Sequence, residues 1–529
     1  MGFRNPVLPG CYPDPSVCRV GDDFYLVSSS FEWFPGLPVH HSRDLVHWRP
    51  LGHVLDRPEQ LDLDGIRPSD GLFAPTIRHH RGRFYVVCTL MHGPTRSGHF
   101  VVHAESPEGP WSTPVWLDGA GFDPSLLFDD EGDGSGAGDG SDSADGAVWF
   151  CACRESDPLG APGRTEVYLR RIDLAEGRMV GPEHVVWRGA LADAVWAEGP
   201  HIYRIDGRYH LLAAEGGTDR RHAVVVARAD HVTGPYVGDP NNPVLTHRQL
   251  GRAYPVAGVG HADLVDTPAG EWWAVLLAYR LVDGVHNLGR ETFLVPVTWE
   301  DGRPVWAPGV GRVLLDQPVS PDLPECRWPE EPERDDFDRP TLGPVWQMLR
   351  TPRERWWSLT ERAGHLRLRL RPESVADLAQ PSLVARRQQH LDFVAATELD
   401  FAPASEHECA GLVVLQNNDF HLRLVVHGGP HRELRAVRRA AGTDEPLAST
   451  VLPDGPVRLG VLAEGQRYAL RYETDGEWRT LAVTDGHVLS TEVAGGFTGA
   501  FLGPYASANG HASTSVADFD WFDYRSGSD

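Results

Sequence analysis

The sequence predicts an all-β protein: a five-bladed β-propeller over residues 1–318, a proline-rich linker over 319–335, and a jelly-roll-like β-sandwich over 336–529. Three observations carry this. One short phrase recurs five times in the first 300 residues. Apolar and polar residues alternate through the last third of the chain. Prolines punctuate the stretch between.

The phrase is a small or charged residue, a turn-prone pair, a β-run, a polar turn and an aromatic β-run. It reads Asp14-Pro15-Ser16, a turn at Gly21-Asp22, then Phe24-Tyr25-Leu26-Val27. It returns as Ala74-Pro75-Thr76 with Phe84-Tyr85-Val86-Val87, and as Asp123-Pro124-Ser125 with Val148-Trp149-Phe150. The fourth copy is Glu198-Gly199-Pro200 with Tyr209-His210-Leu211-Leu212, and the fifth is His261-Ala262-Asp263 with Trp272-Trp273-Ala274-Val275. The starts lie 60, 49, 75 and 63 residues apart. Short strands repeating at such intervals predict propeller blades. The acidic, glycine-rich stretch 129–145 reads as an insertion between two strands of the third blade. It lacks the glutamate that closes an EF-hand calcium loop.

The linker follows from Pro318, Pro321, Pro324, Pro329 and Pro332, because proline at that density resists both helix and central strand. Beyond it, Leu366-Arg367-Leu368-Arg369-Leu370, Phe420-His421-Leu422-Arg423-Leu424 and Tyr468-Ala469-Leu470-Arg471-Tyr472 alternate with period two. Leu412–Leu415 and Val457–Val461 are further β-runs. Together they predict antiparallel sheets with one face buried.

Composition excludes several functions. Acidic residues number 74 against 49 basic, a net charge of −25, which disfavours nucleic acid and anionic membranes as partners. No apolar run reaches the roughly 20 residues that span a bilayer. The sequence starts without a charged leader and apolar stretch, and its seven cysteines are an odd, scattered set. Both predict a cytoplasmic protein. Cys151 and Cys153 are expected to be buried thiols. Lysine is absent, so Schiff-base, pyridoxal-phosphate and Walker-type chemistry are excluded. There is no Gly-x-Ser-x-Gly elbow and no His-Glu-x-x-His metal motif. A homo-oligomer stays open.

Equivalent blade positions converge on the propeller axis. Asp14, Asp123 and Glu198 are therefore expected to meet at one site, beside Ala74 and His261. Two carboxylates facing each other across a cavity are the equipment for breaking a glycosidic bond. One protonates the leaving oxygen, and the other activates water or attacks the anomeric carbon. A third raises the acid's pKa by like-charge repulsion.

These phrases resemble glycoside hydrolase family 43, in its β-xylosidase and α-L-arabinofuranosidase branch. The resemblance runs through Tyr12–Ser16, Ser42–Trp48, Ala74–Arg78, Phe122–Ser125, Ala197–His201, Ala214–Thr218, Gly260–Leu264 and Leu288–Thr292. It continues through Gly499–Phe501 and Ala517–Phe522, covering nearly the whole chain. It implies a five-bladed propeller and an inverting reaction, with Asp14 as general base, Glu198 as general acid and Asp123 as modulator. Inversion implies an acid–base separation of roughly 6.5–9.5 Å. The resemblance also places Arg290 in the active site, where a guanidinium grips two oxygens at once. His261 would either order the substrate and Asp14 or reach a water-bound calcium ion in the channel, the only metal suggested; no cofactor is required.

Phe31 and Phe73 are expected to contact the sugar. Relatives often carry tryptophan where Phe73 stands, which bears on the preferred sugar. Phe501 resembles a residue that the sandwich inserts toward the propeller mouth, closing one end of the site and making the enzyme exo-acting. The expected activity is release of xylose or arabinose from xylo-oligosaccharides or arabinosylated oligosaccharides. Two rivals stand beside it. A β-fructosidase shares the architecture but should carry Asn-Asp-Pro-Asn where this chain has Pro13-Asp14-Pro15-Ser16. A non-catalytic sugar-binding propeller would not need opposed carboxylates.

Overall fold

The computed structural model describes residues 2–130, 146–156, 163–191, 195–329 and 331–527. Most of the expected acidic insertion, residues 131–145, lies outside the described residues.

Five antiparallel sheets form the propeller. The first blade is Ser16–Val20, Asp23–Val27, Gly36–Ser42 and Arg49–Leu55. The second is built on Thr76–His80, Arg83–Met91 and Gly98–Ala104, and the third on Phe122–Asp129, Ala147–Glu155, Thr165–Asp173 and Arg178–Trp187. The fourth uses Glu198–Ile205, Arg208–Glu215 and Ala223–Ala229. Val256–Asp266, Trp272–Arg280, Glu291–Glu300 and Arg303–Trp306 make the fifth. The tight turns follow from sequence. At Asp206-Gly207 both residues take positive φ, 50° and 76°, as a two-residue hairpin of the favoured hand requires.

Period-two alternation explains how the blades hold together. Side chains of one strand face alternately the preceding and the following blade. In Ala147–Glu155, Phe150 and Ala152 pack with Val87 and Val101 of the second blade. Trp149, Cys151 and Cys153 pack with Ile202, Tyr209 and Leu211 of the fourth. Both cysteines are buried on one face, as residues two apart must be. Val17, Phe24 and Leu26 of the first blade pack with Val265, Trp273 and Val275 of the fifth, closing the ring.

Among the described residues, the rest of the chain is a β-sandwich to whose two sheets it contributes eight and seven strands. Its core includes Trp346, Trp356, Phe393, Leu412, Leu424, Leu459, Tyr468 and Phe519. Arg334–Asp335 already pairs with Val516–Ser526, so this sheet begins inside the stretch expected to be linker. The linker lies on the first blade, where Cys326 N donates to Asp44 Oδ2 at 2.8 Å.

One sandwich sheet extends onto the propeller. Its edge strand Gln347–Leu349 pairs with Trp33–Phe34, with Met348 opposite Phe34 and Leu349 opposite Trp33. That pairing places the sandwich beside Phe31 at the propeller mouth.

Candidate active site

Strand register tests the expected convergence. Ser16, Thr76, Ser125, His201 and Asp263 pair with Val27, Val87, Cys151, Leu212 and Val275. These are equivalent positions of the five blades. Two residues before each stand Asp14, Ala74, Asp123, Gly199 and His261. The fourth copy is therefore offset by one from the expected alignment: Gly199, not Glu198, fills the shared slot. Backbone conformation agrees, because Asp14, Asp123, Gly199 and His261 all take left-handed φ, at 53°, 52°, 55° and 49°. Glycine is needed at 199, where a Cβ would stand 2.8 Å from His261 Cε1. Glu198 occupies the position of Phe122 in the third blade; each is the last residue paired before a bulge. The bulge turns its carboxylate into the same cavity.

That cavity is lined by Asp14, Asp123, Glu198, Phe31, Phe73, His261 and Arg290, all expected at the site. Ala74 lies beside them, and Phe122, Thr218 and Phe497 complete the wall.

The surroundings push the titrations of Asp14 and Glu198 in opposite directions. Burial raises Asp14, but the Arg290 guanidinium, His261 and the Ser29 hydroxyl outweigh it, so the carboxyl titrates below its ordinary range. Arg290 Nη1 donates to Asp14 Oδ1 at 2.8 Å and Nη2 to Oδ2 at 3.4 Å. Ser29 Oγ donates to Oδ2 at 2.6 Å. Among the described residues, Glu198 has no arginine partner at that range. Burial first, then the charges of Asp123 and Asp14, raise it well above the carboxylate range. Asp123 is raised as well, by burial and by Asp14, although it accepts a hydrogen bond from Gly199 N at 3.1 Å. Asp14 is thus ionised at neutral pH, and Glu198 holds its proton more tightly than an ordinary carboxyl.

His222 stands next to the acid, with Nε2 3.8 Å from Glu198 Oε1. Burial pushes it down to about 3, so it is neutral. Its Nδ1 donates to the Gly258 carbonyl at 3.1 Å, which leaves Nε2 as a bare lone pair. It therefore adds no positive charge that would lower Glu198.

The apolar wall is a cluster of three phenylalanines. Phe31 lies 5.7 Å from Phe73 and 6.1 Å from Phe497, between ring centroids. The Arg290 guanidinium stands 5.6 Å from the Phe31 ring and 5.5 Å from the Phe497 ring. Arg290 also donates to Thr218 Oγ1 at 3.2 Å and to the Phe497 carbonyl at 3.4 Å.

Phe501, expected at the mouth, is not there. It is buried and stacks on Trp33, centroids 3.7 Å apart, in a cluster with Cys11, Leu349 and Leu415. It belongs to the strand Phe501–Ser507, whose register fixes it in the domain junction. Phe497, four residues earlier in a loop, is the sandwich residue that reaches the pocket. The sequence hint is the adjacent Gly495-Gly496 pair.

Calcium takes six to eight oxygen ligands, and the carboxylate oxygens near His261 are already engaged by the protein. His261 Nδ1 is 3.8 Å from Asp14 Oδ1, an oxygen already held by Arg290. Along the axis from His261, the carboxylate is Asp263. It accepts from Arg78 Nη1 at 2.8 Å, Arg78 Nη2 at 3.2 Å, Ser16 Oγ at 2.6 Å and Val17 N at 3.0 Å, and from Tyr203. A buried guanidinium therefore supplies the positive charge there. Among the described residues, no group of three or more His, Cys, Asp or Glu side chains is placed to hold a metal.

Carboxylates lining one cavity, Asp14 pushed toward its ionised form and Glu198 toward its protonated form, are the equipment of a glycoside hydrolase. The chain belongs to glycosyl hydrolases family 43, whose sequence model matches residues 3–304. That of the beta xylosidase C-terminal concanavalin A-like domain matches residues 334–525. The chain is 42% identical over 528 residues to a xylosidase/arabinosidase of Butyrivibrio fibrisolvens, covering 98% of each. It is 41% identical to a non-reducing end alpha-L-arabinofuranosidase of Bacteroides ovatus, covering 99% of this chain and 94% of that one. The solved xylan beta-1,4-xylosidase from Bacillus halodurans C-125 superposes with a TM-score of 0.91 at 36% identity, covering 99% and 100% of the two chains. The family match removes both the β-fructosidase and the non-catalytic alternatives.

Proposed function

We propose that this enzyme releases single pentoses, β-D-xylose and α-L-arabinose, from the non-reducing ends of xylo-oligosaccharides and arabinofuranosyl side chains, with inversion. The observation that carries it is that Asp14 and Glu198 line one pocket whose surroundings push them in opposite directions, Asp14 down through Arg290 and Glu198 up through burial and Asp123. Glu198 donates its proton to the leaving oxygen. Asp14, already ionised, takes a proton from the water that attacks the anomeric carbon from the other side. Asp123 keeps the acid protonated until then. Arg290 holds Asp14 and presents its remaining surface, flanked by Phe31 and Phe497, to the sugar. The phenylalanines shield the ring's C–H faces and keep bulk water from the developing positive charge.

Exo action is supported by Phe497, through which the sandwich contributes to the wall of the propeller's cavity. Dual activity is supported by the substrate chemistry, since the two pentosides present similar hydroxyl positions, and by the names of the relatives. The chemistry needs no cofactor. A cytoplasmic location is part of the same proposal and is supported by the seven cysteines, all free thiols.

Nitrophenyl β-D-xylopyranoside and nitrophenyl α-L-arabinofuranoside test the activity directly. Turnover of both, with xylobiose cleaved to xylose of inverted configuration in the first NMR spectra, is the expected result. No turnover of either glycoside rejects the proposal, and a retained anomer rejects Asp14 as a base acting through water.

A further inference from the structure

Trp196 lies two residues before Glu198 and takes φ +57°. Left-handed backbone is an outlier for so bulky a residue, and such outliers persist where the surroundings fix them. Here they do. Trp196 N donates to the Gly163 carbonyl at 2.6 Å, and Gly216 N donates to the Val195 carbonyl at 2.8 Å. Two glycines make room for the indole. A Cβ on Gly163 would stand 3.0 Å from Trp196 Cε2, and one on Gly217 would stand 3.2 Å from Cδ1.

The indole is only partly buried, although nothing in the propeller's packing requires it to reach solvent. It is excluded from the inter-blade cores but touches the pocket wall: its ring lies 6.2 Å from that of Phe122, at 61°. Gly217 precedes Thr218, another wall residue. A partly exposed aromatic ring, held one ring beyond the cavity, is the equipment for a sugar's apolar face.

Which sugar it meets is set by the acid. Glu198 must touch the oxygen that leaves, so the leaving residue extends from the pocket on the Glu198 side. Trp196 is on that side, and the released pentose is enclosed by Phe31, Phe73 and Phe497 elsewhere. We propose that Trp196 is the platform on which the leaving-group sugar stacks, so that it sets the preference for oligosaccharides over small aglycones. This rests on the proposed role of Glu198 as acid.

The test compares, on the full chain, a disaccharide with the glycosyl fluoride of the same pentose. Fluoride is too small to reach Trp196. Trp196→Ala is expected to lower kcat/KM for xylobiose roughly tenfold more than for β-xylosyl fluoride, chiefly through KM. Trp196→Phe should restore most of the difference, and the pH limits of activity should stay in place in both variants. Equal losses on the two substrates, or none on xylobiose, overturn the platform while leaving the glycosidase reading intact. A wild-type enzyme that cleaves neither substrate overturns both.

Discussion

Arg290 and Asp14, 276 positions apart in sequence, form a two-pronged ion pair at 2.8 and 3.4 Å on the propeller axis. The pair is buried on both sides. The guanidinium is the largest of the influences that hold Asp14 low against burial. Arg290→Gln should therefore move the acidic limb of the kcat/KM profile to higher pH, because the base then needs less acid to become protonated. It should also lower kcat/KM by roughly 10²–10³, since substrate contacts go as well. Arg290→Lys keeps the charge but loses the fork, so its limb should fall between wild type and Arg290→Gln. A limb that stays in place in both variants would assign the low titration of Asp14 to another group.

Asp123 acts on the other limb. Its negative charge is the largest electrostatic contribution to holding Glu198 protonated, after burial itself. Asp123→Asn removes that charge, so Glu198 should lose its proton at lower pH. The alkaline limb should shift down and the acidic limb should move little. Each unit of displacement corresponds to about 1.4 kcal/mol of repulsion removed. A pH–rate profile with a good and a poor leaving group separates the effects, because only the poor one depends on the acid.

Phe497 is held from the propeller side. Its backbone N donates to Ser69 Oγ at 2.8 Å, and Ser69 N donates to Glu32 Oε2 at 3.0 Å. Gly496 sits so close that a Cβ would lie 2.4 Å from Ser69 Oγ. Ser69→Ala breaks the first link with no change in backbone demand. One neutral hydrogen bond is worth about 1 kcal/mol, so KM should rise roughly fivefold while Tm hardly moves. A change in kcat alone would mean that Phe497 matters to the chemistry and not to holding the sugar.

Phe501 should behave in the opposite way. Phe501→Ala empties the space against Trp33 in the domain junction, at a cost of about 3–5 kcal/mol. Thermal unfolding should begin at lower temperature, with KM near wild type in the folded fraction. A raised KM with unchanged Tm would return Phe501 to the site.

Much of the fold and site is legible in the sequence, and the gaps have physical causes. Asp14 and Asp123 can be found because each precedes Pro-Ser at the start of a recurring blade phrase. The phrase around Glu198 finds that residue but puts it in the wrong slot. The bulge that offsets it is a register feature, visible only when Glu198 pairs with Ala214 and His201 with Leu212. Phe122 and Thr218 lie inside recognised phrases, yet nothing local says that a phenylalanine beside an aspartate faces a cavity rather than a neighbouring blade. Phe497 is out of reach for another reason. Its place depends on how the sandwich docks, through the pairing of Gln347–Leu349 with Trp33–Phe34, and no alternation within either segment reports a contact between domains.

Glu198 carries a cost in stability that should show when it is neutralised. Its carboxyl titrates well above the roughly 4.3 of an unfolded chain. Between those two values the folded protein keeps a proton that the unfolded chain has released. Stability therefore falls as pH rises through this window and stays reduced above the folded-state value. Below about pH 4 both states hold the proton, and the loss disappears. Glu198→Gln preserves shape and hydrogen-bonding capacity but cannot ionise. Its Tm should match wild type near pH 4 and exceed it at pH 7, with each unit of displacement worth about 1.4 kcal/mol at most, since the side chain is not fully excluded from water. The same variant should lose hydrolysis of xylobiose, whose sugar leaving group needs a proton, while keeping part of its turnover of an activated aryl glycoside. Tm curves that coincide at both pH values would mean that Glu198 is not held protonated by its surroundings. Undiminished cleavage of xylobiose would remove it as the acid.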